Sequence, residues 1–388
     1  MSKRILVESS FTERIQVKDC EIKRTVLPTK GINYLDDDTN AYSYEEEDEK
    51  ANMYFEYNNE ELYSFLEEIH KEHCLMPEVI FTHKTVDKQI LFTSGEEKHQ
   101  RIYYNEISLA LHAKKGVEDK QCFNGFGFTN QPITKKQMYD LYNLLALQIG
   151  DVDSCIDISD ATYEIILGPE VAGVFIHEII GHMCEYDNGS SIMQSISHSI
   201  TEDFTVIDDP TSPNLWGSYE FDDEGIQGQK TVLFEKGIFK NFLHSEASAH
   251  AMNTTPNGHA RSLNYQFRPI IRMSNTYLET GHISFDEMVA TIPYGIVALT
   301  SSGGMLKRDV FKLNVLSGIM IERGKLTQKT GSFSIWGKVD DVLKKICGIG
   351  DTALTCSGQG CYKLKQGPLP VSFSAPHIHI KSVLITKK

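Results

Sequence analysis

The sequence predicts an α+β protein in which an N-terminal two-layer α/β domain precedes a mainly antiparallel β domain that carries one long helix. Three observations lead there. Up to Gly150, stretches with apolar residues at helical spacing are interleaved with stretches of clustered β-branched and aromatic residues. Beyond Ser159 the texture changes to short strand-like runs separated by turn residues. A single apolar helical pattern, Gly168 to Asp187, interrupts those runs. A chain of 388 residues with 40% hydrophobic content can bury a sizeable core, and two domains are expected, residues 1–155 and residues 156–388.

The first hundred residues carry no recognisable motif. Within them, DDDTNAYSYEEEDEKANMYFEYNNEE (Asp36 to Glu61) is acidic and poor in aliphatic residues, which predicts a solvated loop or linker. EELYSFLEEIHKEH places Leu62, Phe65, Leu66 and Ile69 on one helical face, and QMYDLYNLLALQIG (Gln137 to Gly150) repeats the pattern before a terminating glycine. Between these two helices, EVIFTHK and RIYYNEISLALHAK read as strands. In the second half the strand candidates are TYEIILG, TVLFEKGIFKNFLH with a hairpin tip at Lys236-Gly237, FRPIIRMSNTYLETG, GIMIERGKL and the final LPVSFSAPHIHIKSVLI. Asp222, Asp223 and Glu224 read as a solvated turn ended by Gly225. No internal repeat at a fixed period is evident, which argues against a solenoid or propeller.

The formal charge of −15 argues against nucleic acid or an anionic membrane as partner, since either would repel such a surface without a compensating basic patch. The opening residues, MSKRILVESSFTERIQ, lack the uninterrupted apolar stretch of a signal peptide, and no apolar run approaches the roughly 18 residues that span a bilayer. A cytoplasmic protein whose eight scattered cysteines are mostly reduced is therefore expected.

GPEVAGVFIHEIIGHMCEYD (Gly168 to Asp187) has the marks of a helix start: Gly168 at the cap, Pro169 where its missing N–H costs nothing, and Glu170 favoured by the helix dipole. Val171, Val174, Phe175 and Ile179 supply an apolar stripe. His177, Glu178 and His182 then stand out. Imidazole is a preferred zinc ligand, and a catalytic site needs three protein ligands with one position open. In the common H-E-x-x-H arrangement the histidines lie about 40° apart around the helix, whereas the wider spacing here separates them by about 140° on a regular α-helix. They can share an ion only if the helix widens by an i→i+5 turn or ends at Gly181, where the missing Cβ makes a break least costly. Glu178 beside such an ion would serve as a general base.

PEVAGVFIHEIIGHMCEYD resembles the signature helix of the TldD/PmbA family of zinc metallopeptidases, in particular the TldD-type subunit that retains the metal ligands. TVIDDPTSPNLWGSYEFDDEG, TVLFEKGIFKNFLHS, TPNGHARS, RMSNTYLETG and KQGPLPVSFSAPHIHI follow in the family's order, so the resemblance runs from about Ile102 to the C-terminus. It implies a zinc-dependent peptidase that cleaves unfolded or flexible peptides, including ribosomally made precursors, with one zinc ion per catalytic subunit. The family's third ligand is a cysteine shortly before a Pro-Val strand. Cys361 fits its spacing to Gln366, although Tyr362 stands where the family has glycine; Cys356 is the alternate ligand or a redox partner. Glu185 matches an acidic residue that could hold a ligand histidine in place. His244 and His259 fall in matched segments and are candidates for binding substrate. The resemblance also implies a dimer, with a TldE/PmbA-type sister subunit or with a second copy. The N-terminal portion is shorter than expected of a TldD-type subunit.

The leading expectation is thus a metallopeptidase with His177, His182 and Cys361 as ligands and Glu178 as general base and acid. Two rivals stand beside it: a zinc hydrolase acting on another amide or ester, and a non-catalytic peptide-binding subunit with structural zinc. His377 and His379 alternate on the last strand and share one face, outside the family's ligand pattern. Cys184 reads as core, and SSGGM (Ser301 to Met305) as a candidate strand edge for an extended peptide.

Overall fold

Residues 4–18, 21–34, 42–45, 64–65, 68, 76–115, 118–150, 155–188, 200–357 and 360–387 are described in the computed structural model. Strands β1 (Arg4–Lys18), β2 (Glu21–Tyr34), β3 (Tyr42–Glu45), β4 (Met76–Phe92), β5 (Glu97–Lys115) and β6 (Glu118–Thr129) form one sheet. Its order is β3-β2-β1-β4-β5-β6 and every pairing is antiparallel. Alternate residues Val79 and Phe81 on β4, and Ile107, Leu109 and Leu111 on β5, point to one face, as the period of a strand requires. The helix Lys135–Gly150 covers that face with Met138, Leu141, Tyr142 and Leu145, whose spacing makes a single stripe. Its start is set by Thr134 and Gln137, which exchange backbone-to-side-chain bonds at 2.8 and 3.3 Å in a capping box.

Two expectations for this half need adjustment. Part of the acidic segment, Tyr42–Glu45, is a strand paired with Lys30–Asn33 of β2. The rest of that segment lies outside the described residues, as does most of the helix expected around Phe65. Ser64, Phe65 and Glu68 are helical, with Phe65 fully buried against Tyr139 of the covering helix.

In the second half, β7 (Ala161–Leu167), β8 (Val206–Asp208), β9 (Thr231–Glu235), β10 (Ile238–Phe239), β11 (Ala260–Arg261) and β12 (Ile270–Ile271) come first. β13 (Asn275–Leu278), β14 (Tyr294–Lys307), β15 (Val310–Glu322), β16 (Lys325–Thr330) and β17 (Phe333–Lys338) follow. The last are β18 (Ile346–Ser357), β19 (Cys361–Lys363), β20 (Gln366–Leu369) and β21 (Ser372–Lys387). Most join one sheet of order β10-β9-β8-β13-β21-β17-β15-β14-β7, and β7 also pairs with β21, so that β7, β14, β15, β17 and β21 close into a barrel. The pairings are antiparallel except β13 with β21 and β14 with β7. Lys236 and Gly237, at φ 50° and 75°, make the expected hairpin tip between β9 and β10.

The helical segment after β7 packs against β7, β14, β15, β18 and β21. Its burial is wider than the expected stripe. Ala172, Ile176, Ile180 and Met183 are as fully buried as Val171, Phe175 and Ile179, because strands surround the helix on more than one side. The protein is mixed α+β and mostly strands. Among the described residues no helix is long and apolar enough to cross a membrane.

Candidate metal centre

Gly168 caps the buried helix in an extended conformation and Pro169 takes the first helical position. The Gly168 amide donates to Ala298 of β14 at 2.7 Å, and the Glu170 carboxylate accepts the Ser301 amide at 3.0 Å, so the helix enters anchored to β14. Pro169–Phe175 is α-helical, Ile176–Gly181 is a π-helical turn, and His182–Cys184 closes with one more α turn. Within the widened turn the His182 amide donates to the His177 carbonyl, an i→i+5 bond. Gly181 itself has ordinary helical angles (φ −59°, ψ −55°), so it is not needed for its backbone freedom. It is needed for space: a Cβ there would overlap Met273 Sδ and press on Met273 Cγ and Cε at 3.1 Å.

The widening brings the two histidines together. Their ring centroids are 5.3 Å apart, and one ligand atom each from His177, His182 and Cys361 lie within 4.8 Å of one another. All three are buried. Cys361 opens β19, whose short hairpin with β20 is held from behind by Arg272, donating to the Cys361 carbonyl at 2.6 Å and the Gln366 carbonyl at 3.2 Å. Arg272 is fully buried and went unnoticed in the sequence, although RMSNTYLETG contains it; an arginine amid apolar residues was the available signal.

The His182 ring is fixed from both ends. Nδ1 is 2.9 Å from Glu185 Oε2, and Nε2 is 3.5 Å from Cys361 Sγ. Glu185 is fully buried where the helix ends, and Lys363 offsets its charge at 3.0 Å while also reaching Asp187 at 2.7 Å. The electrostatics follow from these contacts. Burial acts to raise the Cys361 thiol, but His182 and His177 beside it outweigh that and hold it well below its usual range. Burial acts to lower His182, but Glu185 and Cys361 hold it well above. Burial acts against the Glu185 carboxylate too, and His182 with Lys363 keeps it low. Glu178 goes the other way: burial pushes its carboxyl up, with His177 and His182 only partly offsetting this. Its Cγ lies 3.3 Å from where a Cβ on Gly304 of β14 would stand.

Two imidazoles and a thiol held low suit zinc, and His177 Nδ1 is buried with no hydrogen-bond partner, as expected of a site built around a further group. Cys356 is outside this cluster. It sits on β18 opposite Phe373, half-buried, and burial pushes its thiol up to about 12, so the hairpin and not β18 brings a cysteine to the histidines.

The remaining candidates stand elsewhere. His259 is fully enclosed, with Nε2 3.0 Å from Asp208 and Nδ1 3.1 Å from Asn257. Asp208 also accepts from the Ser274 amide and hydroxyl and from Thr276. Both ring nitrogens of His259 are thus engaged, and the residue lies outside the metal cluster. His244 is buried beside Tyr186, with Nδ1 3.0 Å from Ser248 Oγ, and lies outside the metal cluster. Cys184 is core, as expected. His379 pairs with Glu164 at 2.9 Å and His377 stacks on Phe285.

The turn at Asp222 and Asp223 is not solvated. Asp222 accepts the amides of Glu224, Ile226 and Ala260, and Asp223 accepts Ser262 and pairs with Lys88 of β4 at 2.6 Å. Both are buried because the six-stranded sheet closes over them.

The family model for the PmbA/TldA metallopeptidase C-terminal domain matches residues 160–387. A metalloprotease of Methanocaldococcus jannaschii is 39% identical over 193 residues, 47% of this chain and 42% of that protein. The metalloprotease TldD homolog of Buchnera aphidicola subsp. Acyrthosiphon pisum is 31% identical over 268 residues, 66% of this chain and 55% of that one. The zinc metalloprotease TldD homolog of Saccharolobus solfataricus is 31% identical over 229 residues, 58% and 51% of the two chains. The chain thus spans about half the length of these relatives. In fold it is similar to the crystal structure of TldE from Thermococcus kodakarensis, with a TM-score of 0.73 at 17% identity over 99% of this chain and 96% of that one. With its second half matched throughout by the family model, the chain belongs to the TldD/PmbA metallopeptidase family.

Proposed function

We propose that the protein is a zinc-dependent peptidase in which His177, His182 and Cys361 hold one ion and Glu178 is the general base and acid. The observation that carries this reading is the π-helical turn, which turns two histidines at a divergent spacing toward one buried thiol. A zinc ion there supplies Lewis acidity, polarising a substrate carbonyl and lowering the pKa of water toward about 7. Glu178, pushed up by burial, is suited to taking a proton from water and returning it to the leaving amine. Glu185 accepts from His182 Nδ1 and leaves Nε2 facing Cys361, the orientation a ligand requires.

An unfolded or flexible peptide, such as a ribosomally made precursor, is the substrate class the surroundings favour. β14 pairs with β7 only over Gly295–Ala298; beyond it, among the described residues, the stretch through Gly303 and Gly304 has no strand partner on that side and passes Glu178. An extended backbone can join such an edge, and an unfolded peptide offers one along its whole length. The separate six-stranded sheet and barrel support a division into domains 1–155 and 156–388. The likeness to TldE supports pairing with a TldE/PmbA-type sister subunit or a second copy, and the free thiols Cys122, Cys184, Cys347, Cys356 and Cys361 support a reducing, cytoplasmic setting.

The test is hydrolysis of an unstructured peptide read by mass spectrometry, with the protein alone and with a sister subunit, for the wild type and Glu178→Gln. The variant is expected to keep its zinc and lose at least about 10²-fold in turnover. Equal turnover in a zinc-replete variant would remove Glu178 from the mechanism.

A further inference from the structure

On its β7 side, β14 is covered by a succession of partners that stops beside the metal centre. β7 pairs with Gly295–Ala298. Where β7 gives way to the buried helix, the Gly168 amide donates to the Ala298 carbonyl at 2.7 Å. Farther along, the Ser301 amide donates to the Glu170 carboxylate at 3.0 Å, so a side chain from the first turn of the helix stands where a neighbouring strand would place a carbonyl. From Gly303 onward, among the described residues, no strand lies on that side, and a Cβ added to Gly303 would meet nothing within 4 Å.

The place of that last contact is fixed. β14 slips register against β15 between Ala298 and Gly304, and Ser301 sits within these bulges. Its hydroxyl donates to the Asn314 carbonyl at 2.9 Å and accepts from the Gly303 amide at 3.1 Å. Ser301 is buried, whereas Ser302 and Met305 beyond it are exposed. Gly304 is the point at which β14 passes Glu178. Ser301 precedes it by three positions, about 10 Å of extended chain and less across the bulges.

A peptide that adds to this edge pairs through backbone amides and carbonyls of β14. Past Gly303 the edge is open to it, but at Ser301 the amide is already taken. A peptide carbonyl arriving there would face a carboxylate, acceptor against acceptor, and would lose its own bond to water without gaining another. We propose that Glu170 is a specificity-determining residue that ends the peptide-binding edge at Ser301, limiting the peptide on that side of Glu178 to about two or three paired residues. The inference rests on the reading of β14 as the edge that receives the peptide.

The test is binding without turnover. Unstructured fluorescein-labelled peptides are titrated with the full-length protein carrying Glu178→Gln, in two series lengthened one residue at a time from about four to about ten residues, at the N-terminal or the C-terminal end. In one series affinity is expected to stop rising at a limit. Glu170→Ala, which frees the Ser301 amide, should carry the rise beyond that limit by about threefold or more. Glu170→Gln keeps an acceptor oxygen and should keep the limit, whereas a purely structural role for Glu170 would weaken peptides of every length alike. Should Glu170→Ala fail to fold by circular dichroism, peptides N-methylated at single positions decide with Glu170 in place: methylation must weaken binding by about threefold or more at alternate positions before the limit and at none beyond it. An unchanged limit in Glu170→Ala, a moved limit in Glu170→Gln, or no limit in either series would each overturn the proposal. No saturable binding of any peptide at about 1 mM would overturn it together with the edge. A limit that moves as expected, in a protein whose zinc-loaded wild type hydrolyses none of these peptides, would uphold the proposal and overturn the peptidase reading alone.

Discussion

Replacing Gly181 with alanine probes the geometry that joins the two histidines. The added Cβ would overlap Met273 Sδ and crowd Cγ and Cε, and Met273 is fully buried, so the side chain has no solvent to retreat into. Either Met273 is forced into a strained rotamer or the helix shifts away from the segment that carries Met273. Inserting one carbon into a packed core of this kind costs roughly 1–3 kcal/mol. A shift would also move His182 relative to His177 across the i→i+5 bond, and a metal site tolerates little of that before ligand geometry fails. Gly181→Ala is therefore expected to lower the urea midpoint and to weaken zinc, measured by competition with a chromogenic chelator, by at least about tenfold. Pairing it with Met273→Ala, which opens the space, should recover most of the zinc affinity even though the cavity itself destabilises by about 2–5 kcal/mol. A Gly181→Ala protein as stable as the wild type and equally tight for zinc would refute the reasoning that this glycine is required for close packing at the π-helical turn.

Three further outcomes are expected. His177→Ala, His182→Ala and Cys361→Ser should each lose most bound zinc by elemental analysis, whereas Cys356→Ser should keep it, because of these two cysteines it is Cys361 that lies with the histidines. Burial pushes the Glu170 carboxyl from its ordinary 4.5 up to about 7, so its contribution to stability is fully present below about 4.5 and is lost as pH rises through about 7. Glu170→Gln should remove up to about 3 kcal/mol of that decline, seen as denaturation midpoints that differ less between pH 5 and pH 8 than in the wild type; an unchanged slope would show that Glu170 titrates normally. Leu145→Ala, on the sheet-facing side of the helix Lys135–Gly150, should cost about 2–5 kcal/mol and leave zinc binding intact, since the cluster it packs in contains none of the candidate ligands.

Local rules determined a good deal of this protein from its sequence. The stripe Met138, Leu141, Tyr142 and Leu145 and the cap at Gly168-Pro169 depend on neighbours a few residues apart, and each occurs as the spacing requires. The separation of His177 from His182 required a widened or broken helix, because a regular one turns them about 140° apart. That constraint follows from helix geometry and residue spacing alone.

Tertiary structure alone decided the rest, because the deciding partners are remote in the chain. Gly181 has the sequence signature of a point of backbone freedom and is instead a point of contact with Met273, which only the packing of the segment leading into β13 could reveal. Asp222 and Asp223 have the composition of a solvated turn, and their burial depends on Lys88 arriving from another sheet. The spacing of Cys361 to Gln366 favoured it over Cys356 only through a family resemblance, and the physical ground of that choice, a hairpin anchored by the buried Arg272, depends on a residue remote in the chain. The placement of Glu178 beside Gly304 likewise depends on the closed barrel, since ring closure through β7 and β21 sets which strand passes the helix. Periodicity fixes which side of an element is apolar, but what that side meets is set by the packing of the whole chain.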